Sequence, residues 1–336
     1  MKYITFAIPS YNSEGYMRRC IDSLLPGGDD VEILIINDGS TDKTGEIADE
    51  YEKKYPGICK AIQKENGGHG SGVNKGLELA TGVYYKVVDS DDWLDKDAYP
   101  IFLNKLKELV DERIEPDLIL ANYLYDHLDE DKIKHMRMNQ MFPANVVFTW
   151  NQTKIIPIDR YLMMHNLYYR TEKLRSTGIV LPEHTFYVDG AFASIPLFAC
   201  TSIYYMNLDL YHYYIGRSDQ SVNTDLMCKR VDQYIRVQDM IEKQIDFKKV
   251  AEVYPKLGRY LYQYFSLICA ICTALLDMIG DKEALAKRDK LWDDMSNYDH
   301  ELYKEVRNTL MGRMSKLPPT NAASLFKIAK KIFKFS

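Results

Sequence analysis

Three carboxylates stand within four residues at Asp89-Ser90-Asp91-Asp92, directly after the apolar run Tyr84-Tyr85-Lys86-Val87-Val88. Clustered carboxylates repel one another unless a cation neutralises them. An oxygen-rich set of this kind suits Mg²⁺ or Mn²⁺, ions that commonly bridge substrate phosphates. A solvated turn that caps the following helix would carry the same letters, so the motif alone leaves both readings open. A second candidate is the glycine-rich stretch Asn66-Gly67-Gly68-His69-Gly70-Ser71-Gly72-Val73-Asn74-Lys75-Gly76. Glycines before a helix let backbone N–H groups approach an anion closely. Its spacing is neither that of a dinucleotide fingerprint nor that of a Walker loop, because Lys75 is followed by glycine. By itself it indicates a tight loop.

These residues need elements to position them, and the first 125 or so residues supply alternating strand and helix patterns. Strands are expected at Tyr3 to Ile8, Val31 to Ile36, Cys59 to Gln63, Val83 to Val88 and Leu118 to Ala121. Helices are expected at Glu14 to Leu25, from near Asp42 to Lys54, at Gly72 to Ala80 and at Asp97 to Val110. This alternation predicts an α/β fold, a mostly parallel sheet with helices on both faces. Such sheets bind ligands at the carboxyl ends of their strands. Those ends carry Pro9-Ser10-Tyr11-Asn12, Asn37-Asp38-Gly39-Ser40 and Asp89 to Asp92. From Val146 to Tyr214 the pattern is mixed, with short β runs at Val146 to Phe148, Ile203 to Met206 and Leu210 to Tyr214; beyond Thr224 it reads as helical throughout.

Composition narrows the class. The 336 residues are 46% hydrophobic and 27% charged, with a formal net charge of −5. That supports a real core and favours two domains. Mild acidity argues against a nucleic-acid partner, which wants a basic footprint. The six cysteines are scattered, and the chain opens directly on a strand-like segment, so reduced thiols and a cytoplasmic setting are expected. Cys269-x-x-Cys272 reads as two small core residues one helical turn apart. Polar residues interrupt the most apolar stretch, Tyr260 to Ile279, which reads as a buried helix and not a membrane span. Tyrosine is unusually frequent, 26 against 12 Phe. Such rings fill a core or offer stacking faces to sugars. From Arg313 onward six basic residues occur and no acidic ones, and residues 320–336 form an amphipathic basic pattern. That tail is expected to lie on an anionic membrane surface; the alternative is a helix docked on its own protein.

Taken together, the motifs resemble family 2 glycosyltransferases, inverting enzymes of the GT-A fold that build bacterial polysaccharides and other cell-surface glycans. The resemblance rests on Ile8 to Asn12, Cys20-Ile21-Asp22-Ser23-Leu24-Leu25, Val31 to Asp42, Asn66-Gly67, Asn74-x-Gly76, Ala80-x-Gly82 and Asp89 to Asp92, in that order. It implies a GT-A domain over residues 1–222, with a nucleotide-sugar half to 125 and an acceptor half from 126. A helical region would follow over 223–336.

The resemblance also implies roles. Pro9, Tyr11 and Asn12 would line the nucleotide, with Tyr11 stacked on uracil, and Asp38 would hydrogen-bond the base. Asp89 and Ser90 would approach the ribose, and Asp91 would hold Mn²⁺ or Mg²⁺ on the donor diphosphate. Asn74, Lys75 and Arg217 are expected to bind the donor; many relatives carry Arg where this chain has Val73, and Lys75, His69 or Arg217 would replace that phosphate contact. In Leu181-Pro182-Glu183-His184-Thr185-Phe186-Tyr187-Val188-Asp189-Gly190, Asp189 would be the catalytic base, the alternative being a helix N-terminal carboxylate. In Tyr211-His212-Tyr213-Tyr214, His212 is the expected additional metal ligand. The implied partners are a UDP-sugar donor, a glycan or lipid-linked acceptor and the inner face of the plasma membrane. A sugar-nucleotide nucleotidyltransferase would want a basic glycine-rich loop after the first strand, where Pro9 to Asn12 stands. A non-catalytic glycan-binding subunit would not need Asp91 and Asp189.

Overall fold

The computed structural model describes residues 1–127, 132–157, 159–215 and 224–333. The chain divides into two compact units, Met1–Gln152 with Leu162–Gly216 and Thr153–Tyr161 with Arg217–Ser336.

The first unit opens with β1 (Ile4–Ser10), α1 (Met17–Leu24), β2 (Val31–Asp38), α2 (Thr44–Lys54), β3 (Cys59–Lys64), α3 (His69–Leu79) and β4 (Tyr84–Val87). It continues through β5 (Trp93–Leu94), α4 (Ala98–Asp111), β6 (Leu118–His127), β7 (Lys132–Met136), β8 (Val147–Phe148) and β9 (Leu167–Arg170). Then come α5 (Thr171–Ser176), α6 (Asp189–Ser194) and β10 (Ile203–Tyr214). The strands form one sheet in the order β3-β2-β1-β4-β9-β6-β10-β5, with β7 on β6 and β8 on β10. β1 pairs in parallel with β2 on one side and β4 on the other. That reversal of strand order is the switch point at which open α/β sheets bind ligands.

Every residue of β1 is buried, as expected of a strand covered on both faces. In α1 the buried Met17, Cys20, Ile21 and Leu24 recur at helical spacing and make one apolar face. Helix α3 lies directly on β1 because Gly76 has no side chain; a Cβ there would come within 2.5 Å of Ala7 Cβ.

The structure departs from the sequence reading in two places. β9 inserts antiparallel between β4 and β6, so the parallel sheet becomes mixed at that point. The two short runs read after Ile203 are one strand, β10, whose register against β6 shifts between Met206 and Tyr211. A local irregularity of this kind interrupts the alternation and makes one strand read as two. Most of the tyrosine excess is core: Tyr84, Tyr85, Tyr123, Tyr168, Tyr169, Tyr205 and Tyr211 are all fully buried, whereas Tyr11 is 55% exposed.

From Thr224 onward the second unit is helical: α7 (Thr224–Lys229), α8 (Val231–Gln244), α9 (Phe247–Val253), α10 (Pro255–Ile279), α11 (Lys282–Tyr298), α12 (His300–Asn308), α13 (Leu310–Met314) and α14 (Ala322–Phe333). α10 is long and apolar enough to cross a bilayer, but 78% of its most apolar window is buried inside the protein. It ends at Gly280, whose φ of 71° closes the helix in the left-handed region. Cys269 and Cys272 are buried free thiols on it. Helix α14 packs along α10 with Ala322 and Phe326 buried, so part of the tail's apolar face is used inside the protein.

Candidate active site

Three loops meet at the carboxyl ends of β1, β2 and β4. Asn12, at φ 48°, turns the chain after β1. Its Oδ1 accepts the Thr41 amide at 2.9 Å, and its own amide donates to Ser40 Oγ at 3.0 Å. The β1 and β2 loops are thereby tied together. Ser13 Oγ and Ser90 Oγ, 2.8 Å apart, tie the β1 loop to the acidic turn. Tyr11 projects from this knot with its ring largely exposed.

Asp38 is buried at the end of β2. Its Oδ1 accepts from Gly67 N at 2.9 Å and Lys64 Nζ at 2.5 Å, and its Oδ2 accepts from Gly68 N at 2.7 Å. One carboxylate thus sets the entry to α3, where Gly68 has φ 81°. The side-chain amide of Asn74 donates to Leu181 O at 2.8 Å and accepts from Leu181 N at 2.9 Å. Both of its polar atoms clamp the segment leading to Asp189. In the same segment His184 N donates to Gly67 O at 2.6 Å, and His184 and Tyr187 hold φ values of 47° and 66°. Left-handed backbone at residues other than glycine is costly and persists only where the surroundings enforce it. Lys75 pairs with Glu78 at 2.9 Å on the solvent side of α3.

The acidic turn is divided between solvent and core. Asp89 is half-buried, and its Oδ1 lies 2.9 Å from His69 Nε2. Burial opposes ionisation of Asp89, but the His69 hydrogen bond and charge hold its carboxyl below the ordinary value. Burial likewise opposes charge on His69, yet Asp89, Asp189 and Asp91 together raise its pKa. Asp91 is half-buried, and Arg19 Nη2 donates to its carbonyl at 3.0 Å. The Arg19 guanidinium lies 3.6 Å from the Trp93 ring centre, a cation–π contact that steadies the turn. Asp92 is fully buried, with Oδ2 accepting from Tyr211 Oη at 2.6 Å and Oδ1 from Tyr214 N at 2.9 Å. Burial first, and then the charges of Asp91 and Asp89, push its pKa well up.

Near the turn lie Lys86, which the sequence reading gave no role, and His165, which it ranked below His212 as a ligand. Lys86, on β4, is fully buried and donates to Met164 O at 2.6 Å and His165 O at 2.7 Å. Its Nζ sits 4.7 Å and 4.6 Å from the ring centres of Tyr168 and Tyr211, and burial pulls its pKa well down. His165 packs against Tyr211 and Tyr213 at ring distances of 4.9 Å and 4.2 Å. Burial lowers its pKa to about 3, which leaves a neutral imidazole at ordinary pH. His212 stands elsewhere: Nδ1 is 2.8 Å from Asp126 Oδ2, Nε2 is 3.4 Å from Asp95 Oδ2, and the ring stacks on Trp93. Both of its nitrogens face carboxylates of this separate cluster, and the histidine grouped with the acidic turn is His165.

Asp189 begins α6 and is half-buried. Burial raises its pKa, Asp89 adds to the rise, and His69 opposes it. The structure thus gathers Pro9, Tyr11, Asn12, Asp38, Asp89, Ser90 and Asp91 at adjoining strand ends, with Asp189 within the electrostatic reach of His69 and Asp89. Arg217 lies outside the described residues.

The parallel switch point is thus lined by an Asp-x-Asp turn, and a further carboxylate, Asp189, begins a helix. Residues 5–168 match the profile of Glycosyl transferase family 2. These residues are similar to that family, and the fold is GT-A. It is 30% identical over 235 residues to EpsH of Bacillus subtilis (strain 168), covering 64% of this chain and 61% of that one. Crystal structures of S. aureus TarS 1-349 with UDP and with UDP-GlcNAc superpose at TM-scores of 0.67 and 0.65, at 18% and 19% identity, each over 99% of this chain and over 91% and 92% of TarS 1-349. The mannosyltransferase PcManGT of Pyrobaculum calidifontis, in complex with GDP-Man and Mn²⁺, superposes at 0.51 and 14% identity, over 96% of this chain and 86% of that one. The chain spans less than two thirds of the curated relatives it matches.

Proposed function

We propose that this chain transfers a sugar from a UDP-linked donor to a glycan or lipid-linked acceptor in a single displacement that inverts the anomeric centre. The observation that carries this reading is the convergence of the β1, β2 and β4 loops on the acidic turn, with the ionisable Asp189 beside it. Tyr11 offers an exposed face to the base, while Asp38 and Asn74 act through the loops they hold. Asp189 takes the proton from the acceptor hydroxyl as its oxygen attacks the anomeric carbon. A pKa raised by burial makes it a stronger base.

The turn fits a divalent cation by the chemistry of its donors: carboxylate oxygens at Asp89 and Asp92, with an imidazole nitrogen of His165 close by. When bound, such an ion stabilises charge on the departing diphosphate. UDP and UDP-GlcNAc in the TarS structures, and Mn²⁺ in the mannosyltransferase, support this reading. The basic tail would hold the protein at the cytoplasmic face of the membrane through its lysines. Lys327, which is exposed, is the first to reverse.

The test is a panel of nucleotide sugars with Mn²⁺ and acceptor extracts. UDP release is expected from at least one donor, and Asp189→Asn should slow it by ~10²–10⁴-fold, the usual worth of a positioned general base. No release from any donor overturns the reading. Sedimentation with anionic vesicles that survives Lys327→Glu, Lys330→Glu and Lys331→Glu together overturns the membrane assignment.

A further inference from the structure

We propose that His165 supplies a nitrogen ligand to the divalent cation of the acidic turn, reaching it from inside the sheet with Asp89 and Asp92 as oxygen partners. The inference rests on the reading that this turn holds a cation, and it names a ligand outside the turn. His165 is 4% exposed, and its Nδ1 has no hydrogen-bond partner. A buried polar atom of that kind calls for an explanation. Nδ1 lies 3.9 Å from Asp92 Oδ2. That is too long for a hydrogen bond, yet it suits two donors on one ion, since ligands about 2.1 Å from a metal stand roughly 3–4 Å from each other. One ligand atom each from Asp89, Asp92 and His165 fall within 4.8 Å of one another.

The partners retain the capacity to bind. Each Asp92 oxygen accepts one hydrogen bond, from Tyr211 or Tyr214, and a carboxylate oxygen can accept a second contact. Asp89 uses Oδ1 for His69, and its other oxygen remains. The imidazole is also held in place. Lys86 donates to the His165 carbonyl, and Tyr211 and Tyr213 pack on the ring. His212 lacks this freedom, with both nitrogens set against Asp126 and Asp95. A mixed oxygen and nitrogen set favours Mn²⁺ over Mg²⁺, which prefers oxygen alone.

Pulsed electron paramagnetic resonance on the full chain, stripped with chelator, free of any polyhistidine tag and loaded with Mn²⁺, reads the ligand directly. The expected result is one Mn²⁺ with a histidine nitrogen coupling. His165→Gln should abolish that coupling and weaken Mn²⁺ binding at least ~10-fold. His69→Gln and His212→Gln should each keep it. Absence of the coupling in the unmodified protein, its survival in His165→Gln, or its loss in either other variant overturns the proposal. Should His165→Gln fail to fold by circular dichroism, the double variant His69→Gln/His212→Gln decides: persistence of the coupling supports the assignment and loss overturns it. Donor hydrolysis on the same samples separates the two readings. Turnover without nitrogen coupling sinks only this inference, whereas nitrogen-bound Mn²⁺ without turnover of any donor sinks only the transferase reading.

Discussion

His165 and His212 each stand near two aspartates, Asp89 and Asp92 for the first and Asp95 and Asp126 for the second. His212 makes a closed set, with Asp126 at 2.8 Å, Asp95 at 3.4 Å and the Trp93 ring stacked on its face. His165 is left open: its Nδ1 has no partner, the nearest carboxylate oxygen is 3.9 Å away, and its ring is fixed by Tyr211 and Tyr213. Identical residue types therefore do different work according to whether the protein completes their hydrogen bonds. A cluster that satisfies itself is a strut between β5, β6 and β10. A cluster that leaves a buried nitrogen unsatisfied tolerates that cost only where something else offsets it.

The largest break in this contrast comes from Asp92→Ala. It strands the Tyr211 hydroxyl and the Tyr214 amide together. Each buried donor left without an acceptor costs about 1–3 kcal/mol, so a loss of about 3–5 kcal/mol is expected in urea unfolding. Asp126→Ala should cost clearly less, because His212 keeps Asp95. Equal losses would mean that the two clusters do not differ in kind. Next comes Lys86→Met, which keeps the side-chain length and leaves the Met164 and His165 carbonyls without their donor. We expect a loss of about 1–3 kcal/mol. The gap should widen in excess Mn²⁺, since a displaced His165 forfeits ligand stabilisation as well. A gap that does not change with Mn²⁺ would separate Lys86 from the cation site.

How much of this was legible beforehand follows from where each signal lies in the chain. The strand-end loops at Pro9 to Asn12, Asn37 to Ser40 and Asp89 to Asp92 follow from apolar runs that stop, and each run is a strand at that place. Asp189 is legible as a carboxylate at a helix start. His165 is not, because it lies in the short turn Met164–Asn166 just before β9, a four-residue antiparallel strand in a segment with no clear period. Lys86 did carry a signal: a lysine in the middle of a run expected to be buried on both faces must either be paired or lose its charge. His212 misleads for the opposite reason. Its neighbours Tyr211, Tyr213 and Tyr214 suggest a site, but its position is fixed by pairing with Trp93 of β5, a contact distant in sequence that no local pattern specifies.

The pH dependence sharpens the contrast through a sign. Burial depresses the His165 pKa to about 3 in the folded protein, while the unfolded chain has the ordinary value of about 6.5. Between those limits the unfolded state takes up a proton that the folded state refuses, so this contribution is fully present above pH ~6.5 and is lost as pH falls toward ~3. Unfolding in chelator should therefore show an acid limb that His165→Gln flattens, by about 2 kcal/mol near pH 5. A variant curve parallel to the unmodified one would show that His165 is not held neutral by its surroundings.

The smallest effect should come from the closed cluster. Asp95→Asn keeps an oxygen for the amides of Asp97 and Ala98, which Asp95 Oδ1 accepts at 3.0 Å and 2.8 Å at the start of α4. It removes only a charge facing His212 Nε2 across 3.4 Å, at a position 32% exposed. Partly exposed pairs are worth ~0–1 kcal/mol, and His212 retains its shorter contact to the buried Asp126. We therefore expect a stability change below about 1 kcal/mol and a Mn²⁺ affinity within about twofold of the unmodified protein. Mn²⁺ titration checks both halves of the contrast in one measurement. If Asp95→Asn weakens Mn²⁺ as strongly as His165→Gln does, the two histidines belong to one site, and the division between an open and a closed cluster falls.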